Sequence, residues 1–255
     1  MQFHVIIPAR YASTRLPGKP LRLLADKPII QHVYEQASLS QASSVIIATD
    51  DERIQQTAEA FGAEVCMTSN QHSSGTERLA EVIEKKKLGD EAIIINLQGD
   101  EPMMPTACLD QVAELLQSNP ECKMASLCEL ITNIEDVFDP NVVKVVLNKS
   151  HHAIYFSRAP IPWDRDVFAT SDKKISSELS NNCFRHIGLY AYRAGFVKEY
   201  ISMTTSPLEK LESLEQLRVL WHGFDIAMGV AIEPPGQGID TEQDLLNAQN
   251  YFINT

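Results

Sequence analysis

The sequence predicts an α/β fold, a three-layer sandwich around a mostly parallel sheet, with a mixed subregion inserted into it. Three observations predict it. Short apolar runs alternate with amphipathic helical stretches through the first half. In the second half strand-like runs follow one another without helices between them. Residues 226–255 then return to one strand and one helix.

Each element has its own signal. Residues 3–7 are an apolar run stopped by Pro8 and read as a buried strand. Residues 28–38 carry Ile29, Ile30, Val33 and Ala37 at helical spacing. Residues 45–48 are a second strand, and 51–61 a helix with Gly62 at its C′ position. Residues 64–67 read as a third strand, 68–74 as a polar loop and 77–84 as a helix. AIIINL at 92–97 is the most apolar strand, followed by a helix over 105–117. Apolar strands separated by helices indicate parallel pairing through right-handed crossovers. Residues 142–147, 153–156 and 187–192 are strands of the mixed region, and the Ser/Asn-rich 167–182 reads as a mobile surface loop. Leu208, Leu211, Leu214, Leu217 and Leu220 recur every third residue, as on one helix face or a slowly drifting stripe. A strand over 226–232 and a helix over 241–251 close the chain.

The chain has 255 residues. A chain of that size buries about 70–75% of its unfolded surface, so stability requires no disulfide framework or structural metal. Its 22 Lys and Arg against 34 Asp and Glu leave a net charge of −12. That charge argues against broad binding of nucleic acid or an anionic membrane. An anionic ligand would need positive charge gathered at one site. Five scattered cysteines without a CxxC pair read as reduced thiols. The N-terminal apolar run lacks a basic flank and is too short for a signal peptide or a membrane span. The expected location is the cytoplasm.

Positive charge is in fact gathered directly after the first strand. PARYASTRLPGKP at 8–20 holds Arg10, Arg15 and Lys19, with prolines at 8, 17 and 20 and Gly18 restricting its shape. Loops at the carboxyl ends of parallel strands bind ligands in open α/β sheets. Backbone N–H groups of such a loop form an anion nest, and guanidinium groups grip phosphate in a bidentate way. The loop is neither GxxxxGK[ST] nor GxGxxG. Asp100, in QGDEP at 98–102, lies at the carboxyl end of the most apolar strand, on the same rim. It reads equally as a helix cap or as a ligand for a cation between carboxylate and phosphate, a role that suits Mg²⁺. Asp240, with Gln243 three residues on, resembles a capping box before the last helix and is the second candidate ligand. Ser73 and Ser74 stand where N-caps of the 77–84 helix belong.

IPARYASTRLPGKPL resembles the nucleotide-binding signature of the sugar-acid cytidylyltransferases. SSGTERLAE at 73–81, NLQGDEP at 96–102, NVVKVV at 141–146, YFSRAPIPWDRD at 155–166, RHIGLYAYR at 185–193, LEQLRVLW at 214–221 and GIDTEQDL at 238–245 extend the resemblance over essentially the whole chain. The match is nearest to the members that activate 3-deoxy-D-manno-octulosonate (KDO).

The resemblance implies a single Rossmann-like nucleotidyltransferase domain. Residues 1–130 form its nucleotide-binding half, 131–225 a sugar-binding and dimerisation subregion, and 226–255 the return to the core. It implies transfer of CMP from CTP to the anomeric hydroxyl of KDO, with release of pyrophosphate, for lipopolysaccharide biosynthesis. A related acid, 8-amino-KDO or a sialic acid, is the alternative substrate. A regulatory protein that kept the fold and lost the chemistry is disfavoured by the presence of both aspartates, both loop arginines and Lys19. Nucleotide contacts fall to Ala9, Arg10, Ser13, Arg15, Lys19, Ser74, Arg78 and Gln98. Sugar contacts fall to Arg158, Arg165, His186, Tyr190, Glu215 and Gln216. Asp100 and Asp240 hold Mg²⁺, with Arg10 and Lys19 completing the catalytic set, and a second ion on the β- and γ-phosphates beside Lys19 and Arg15. A homodimer is implied as well.

His186 and Tyr190, four residues apart on a regular strand, are expected to face one side. Glu215 and Gln216 lie off the leucine stripe.

Overall fold

The computed structural model describes residues 2–13, 15–72, 74–168 and 182–254. Strand β1 (Phe3–Ala9) leads through a loop and a 3-10 turn (Lys19–Leu21) to the short pair β2 (Leu23–Leu24) and β3 (Lys27–Pro28), then to helix α1 (Ile29–Ser38). There follow β4 (Ser44–Thr49), α2 (Glu52–Ala60), β5 (Glu64–Met67), α3 (Gly75–Lys85), β6 (Ile93–Asn96) and α4 (Thr106–Ser118). The second half holds β7 (Met124–Leu130), α5 (Ile134–Phe138), β8 (Lys144–Leu147), β9 (Ala153–Ser157), α6 (Arg165–Phe168) and β10 (Phe184–Arg193). It continues with α7 (Ala194–Ser202), α8 (Pro207–Glu212), α9 (Gln216–Trp221), β11 (Ile226–Val230) and α10 (Glu242–Asn254).

The main sheet runs β11-β7-β10-β6-β1-β4-β5, and β8 and β9 extend from β10. Pairings of β1 with β4 and β6, of β4 with β5, and of β7 with β11 are parallel. Two cores explain the three layers. Phe3, Val5 and Ile7 of β1 pack with Ile29 and Ile30 of α1, Val112 of α4 and Leu245 of α10. Ile6 faces the other way, into Leu79 and Ile83 of α3 and Phe196 and Val197 of α7. Such two-sided burial is what continuous apolar strands require.

Strand β10 lies antiparallel between β6 and β7, so the second half supplies a central strand of the sheet. Its register shifts between Ile187 and Tyr190. There Ser126 Oγ sits 3.0 Å from the Ile187 carbonyl and 2.8 Å from that of Leu189 and closes the bulge.

The leucine repeat does not form one helix. A three-residue step drifts about 60° per repeat around an α-helix, so five such leucines cannot stay on one buried face. The chain breaks at Ser213, which adopts φ 54°, and resumes as α9. Leu211 is 82% exposed while Leu214 and Leu217 are buried. The loop read over 167–182 overlaps the helix before it by two residues, since α6 runs to Phe168. Residues 169–181 of that loop lie outside the described residues. No helix among the described residues is long and apolar enough to cross a membrane.

Candidate active site

The basic loop after β1 is held by its own backbone. Gly18 N donates to the Tyr11 carbonyl at 3.2 Å, and Leu16 N donates to Ser13 Oγ at 3.3 Å. Gly18 has φ +65°, and a Cβ there would stand 3.2 Å from the Tyr11 ring, so this turn favours glycine. Together with Gln98, Gly99, Asp100, Gly75 and Asp240, the loop lines a cavity of 340 Å³ through Pro8, Ala9, Arg10, Ser13, Arg15 and Lys19. Gly99 permits this convergence: a Cβ would come 2.9 Å from the Pro8 carbonyl oxygen. Arg10 Nη2 is buried with no hydrogen-bond partner. An orphaned buried guanidinium donor is costly, and an anion in the cavity would satisfy it.

The carboxylates converge on a cation. Lys19 Nζ donates to Asp100 Oδ2 at 2.5 Å and to Asp240 Oδ1 at 2.9 Å. Arg15 Nη2 pairs with Asp240 Oδ2 at 3.0 Å. Burial disfavours the charged Lys19, but Asp100 and Asp240 outweigh it and hold its pKa above the ordinary value. Ile239 N donates to the Asp100 carbonyl at 2.9 Å and ties the two aspartate loops together.

Neither aspartate is spent as a cap. Pro105 stands at the N-cap of α4. The box before α10 is one residue further on than Asp240 and Gln243: Asp244 N donates to Thr241 Oγ1 at 3.2 Å, and Thr241 N donates to Asp244 Oδ2 at 2.9 Å. Asp240 is thereby left to face Lys19. Glu101, next to Asp100 and not singled out by its sequence, is pushed up to about 8 by burial and then by the charges of Asp100 and Asp240.

A second cavity of 240 Å³ shares Gly75 and Gln98 with the first. Its walls include Thr76, Asn96, Tyr190, Tyr192, Tyr200, Glu215 and Gln216. Thr76 Oγ1 donates to Glu215 Oε2 at 3.2 Å, and Tyr200 OH donates to the Glu215 carbonyl at 3.2 Å. Arg218 stacks 4.6 Å from the Tyr200 ring centroid and pairs with Glu209 at 2.8 Å, fixing that ring. Burial raises the pKa of all three tyrosines, so each stays a neutral hydroxyl. Burial also raises Glu215, with Thr76 and Arg218 opposing. Asn96, Thr76, Tyr192 and Tyr200 escaped sequence reasoning, because strand and helix tyrosines look like core. The i, i+2 spacing of Tyr190 and Tyr192 was the available signal.

Other predicted residues stand differently. Ser74 is the N-cap of α3, accepting from Glu77 N at 3.2 Å. Arg78 is fully buried, bonded to Thr68 Oγ1 and 3.2 Å from Asp50, and lines neither cavity. Arg158 is committed to the carbonyls of Glu212 at 2.7 Å and Pro140 at 2.8 Å. Arg165 opens the one-turn α6, is exposed, and lies outside both cavity walls. His186 backs Tyr190 without lining either cavity, with ring centroids 5.2 Å apart. A regular strand would separate residues four apart by about 13 Å, and the bulge of β10 closes that distance. Arg158 and Arg78 are drawn away from the cavities by the same cause: each long cation meets oxygen acceptors on neighbouring segments.

This arrangement, a cationic loop at the carboxyl end of β1 facing two aspartates, matches known proteins along its length. Residues 4–226 match the family model for cytidylyltransferase. The chain belongs to the cytidylyltransferase family. Within it, the chain is 56% identical to the 3-deoxy-manno-octulosonate cytidylyltransferase of Photobacterium profundum over 96% of its length and 97% of that protein's. It is 54% identical to the enzyme of the same name from Coxiella burnetii, over 99% of its length and all of that protein's. A solved structure of CMP:2-keto-3-deoxy-manno-octonic acid synthetase complexed with CTP superposes with TM-score 0.88 at 39% identity, covering 99% of this chain and 98% of that one.

Proposed function

We propose that this chain transfers CMP from CTP to the anomeric hydroxyl of KDO and releases pyrophosphate. The observation that carries this reading is the pair of cavities meeting at Gly75 and Gln98, one lined by Arg10, Arg15 and Lys19 with two aspartates and one by tyrosine hydroxyls, amides and Glu215. The triphosphate would lie against Arg10, Arg15 and Lys19, and the sugar against the three tyrosines, Asn96, Glu215 and Gln216. The likeness to a synthetase solved with CTP supports the nucleotide half, and the names of the curated relatives support the sugar.

The residues present fit a divalent cation. Asp100 and Asp240 already converge on one ammonium, and hard carboxylate oxygens beside phosphate are the donors Mg²⁺ takes. These two carboxylates would hold Mg²⁺ once Lys19 turns to the phosphates. Bound there, Mg²⁺ supplies charge neutralisation at the α-phosphate and lowers the pKa of the sugar hydroxyl. The remaining work is positional. Arg10 and the backbone of the loop fix the α-phosphate. Glu215 and the tyrosines orient the polyol so that its hydroxyl faces the phosphorus in line. The hydroxyl gives up its proton to solvent as the new P–O bond forms and the bond to the pyrophosphate oxygen breaks, and no covalent enzyme intermediate is needed.

The product would serve lipopolysaccharide biosynthesis in the cytoplasm. A homodimer is supported by a half-exposed aromatic cluster, in which Phe138 and Trp163 pack on Phe168 at 5.2 and 5.1 Å. Product analysis tests the reading: CTP, Mg²⁺ and KDO should give CMP-KDO. Preferred turnover of 8-amino-KDO or a sialic acid would reassign the sugar, and sedimentation at micromolar concentration would report the dimer.

A further inference from the structure

At the opposite end of the sheet from the cavities lies a group of side chains that the proposed reaction leaves unused. Strands β7 and β11 run in the same direction as β6 and β1, because β10 is antiparallel to both β6 and β7. The cavities open at the carboxyl ends of β1 and β6. Cys122 and Asp225 precede the amino ends of β7 and β11, and His152 closes the turn between β8 and β9.

One ligand atom each of Glu121, Cys122 and His152 lies within 4.8 Å of the other two. Cys122 Sγ is 3.6 Å from His152 Nε2, and His152 Nε2 is 3.7 Å from Glu121 Oε1. A tetrahedral zinc with Zn–S near 2.3 Å and Zn–N near 2.0 Å would hold sulfur and nitrogen about 3.5 Å apart. The observed separation matches that without movement of the chain. Asp225 Oδ2 lies 3.9 Å from His152 Nδ1, too far for a hydrogen bond but on the side of the ring where an outer carboxylate would accept from Nδ1–H once the side chain turns inward.

The backbone holds these groups in place. Cys122 N donates to the Asn119 carbonyl at 3.0 Å. His152 N donates to Asn148 Oδ1 at 2.9 Å, and Met228 N donates to the His151 carbonyl at 2.8 Å. Arg193 Nε donates to the Cys122 carbonyl at 3.3 Å. The site is therefore assembled from three segments whose positions do not depend on an ion.

We propose that Glu121, Cys122 and His152 form a binding site for one zinc ion, with Asp225 as the outer partner of His152 and water in the fourth position. Thiolate, imidazole and carboxylate are a donor set for Zn²⁺, whereas Mg²⁺ and Ca²⁺ take oxygen. Each ion bound as a thiolate complex would release the Cys122 thiol proton to solvent. Glu121 is exposed and offers the way in. None of these four residues lines either cavity, so occupancy of the site should leave CMP transfer unchanged and raise resistance to heat.

Cobalt titration tests this, because a Co²⁺–thiolate bond absorbs in the near ultraviolet and carboxylate ligation at Asp100 and Asp240 does not. The chelator-treated full chain is titrated with Co²⁺ at saturating Mg²⁺, then back-titrated with Zn²⁺. One equivalent of Co²⁺ should produce the thiolate band, and Zn²⁺ should erase it. Cys122→Ser and His152→Ala should lose the band, Cys66→Ser should keep it, and Asp225→Asn should weaken Co²⁺ binding about 10–100-fold. His152→Ala should retain pyrophosphate release. Absence of the band from the wild-type chain, or its survival in His152→Ala, would overturn the proposal. Should Cys122→Ser fail to fold, His152→Ala in the β8–β9 turn decides the same question.

Discussion

Asp100 and Asp240, from loops far apart in the sequence, grip the same Lys19 ammonium at 2.5 and 2.9 Å. The Ile239 N–H bonded to the Asp100 carbonyl keeps them together. Two carboxylates held this close are stable because a cation stands between them. Under the proposed function, Lys19 holds the place of a metal until the nucleotide arrives.

Asp100→Asn and Asp240→Asn should each lower pyrophosphate release by about 10²-fold or more at saturating Mg²⁺, on the scale of removing one electrostatic contact to a transition state. Thermal stability should change little. Thr241→Ala is the contrast: losing the cap of α10 costs about 1 kcal/mol of stability and leaves most turnover. Steady-state kinetics with parallel melting curves check both. Full activity in Asp100→Asn would remove it from the site.

Lys19→Ala and Arg15→Ala should raise KM for CTP far more than they lower Tm. Arg15 is 65% exposed in its pair with Asp240, and exposed pairs contribute about 0–1 kcal/mol. Isothermal titration with CTP checks this, and unchanged affinity in both variants would move the triphosphate elsewhere.

Tyr200→Phe and Glu215→Gln should raise KM for KDO more than KM for CTP. A buried polar group left unpaired discriminates strongly against the substrate that leaves it so. Arg158→Ala should behave otherwise. Its guanidinium serves the Glu212 and Pro140 carbonyls, so the loss is about 1–3 kcal/mol of stability. For a chain of this size each kcal/mol lowers Tm by about 2–4 °C. Varying each substrate in turn, beside calorimetry, separates the two kinds of residue.

His186 gives a pH signature. Its ring packs against Phe156 and Tyr190, and burial lowers its pKa from 6.5 to about 3. The unfolded chain therefore binds a proton that the folded chain refuses. The stability from neutral His186 is complete above pH 6.5 and is lost as pH falls towards 3, amounting to about 2 kcal/mol at pH 5. Glu101, raised to about 8, acts in the opposite sense, losing stability as pH rises. The His186 contribution is therefore read as the difference from His186→Gln. Denaturant melts at pH 7 and pH 5 should show a smaller acid loss in that variant, and equal losses would contradict the assignment.

The readable parts of this molecule are those whose signal is contiguous. Apolar runs and helical spacing predict β1 through α4, and the cations of 10–19 stand in one loop beside a strand end. The second cavity is assembled from single residues on α3, β6, β10, α7 and α9, and Thr76, Asn96, Tyr192 and Tyr200 each look like ordinary packing in isolation. Asp240 was ambiguous because Thr241 and Asp244 provide the same cap one residue later. The leucine repeat misleads because a period of three cannot follow a 3.6-residue helix, and Ser213 takes the left-handed turn that resolves the conflict.

The most direct measurement of the central claim is pyrophosphate release from CTP by the full chain, with KDO and Mg²⁺ each present or omitted. One pyrophosphate should be released per CMP-KDO formed, with release abolished when KDO or Mg²⁺ is left out. Release that is indifferent to KDO, or none with all three present, would contradict it.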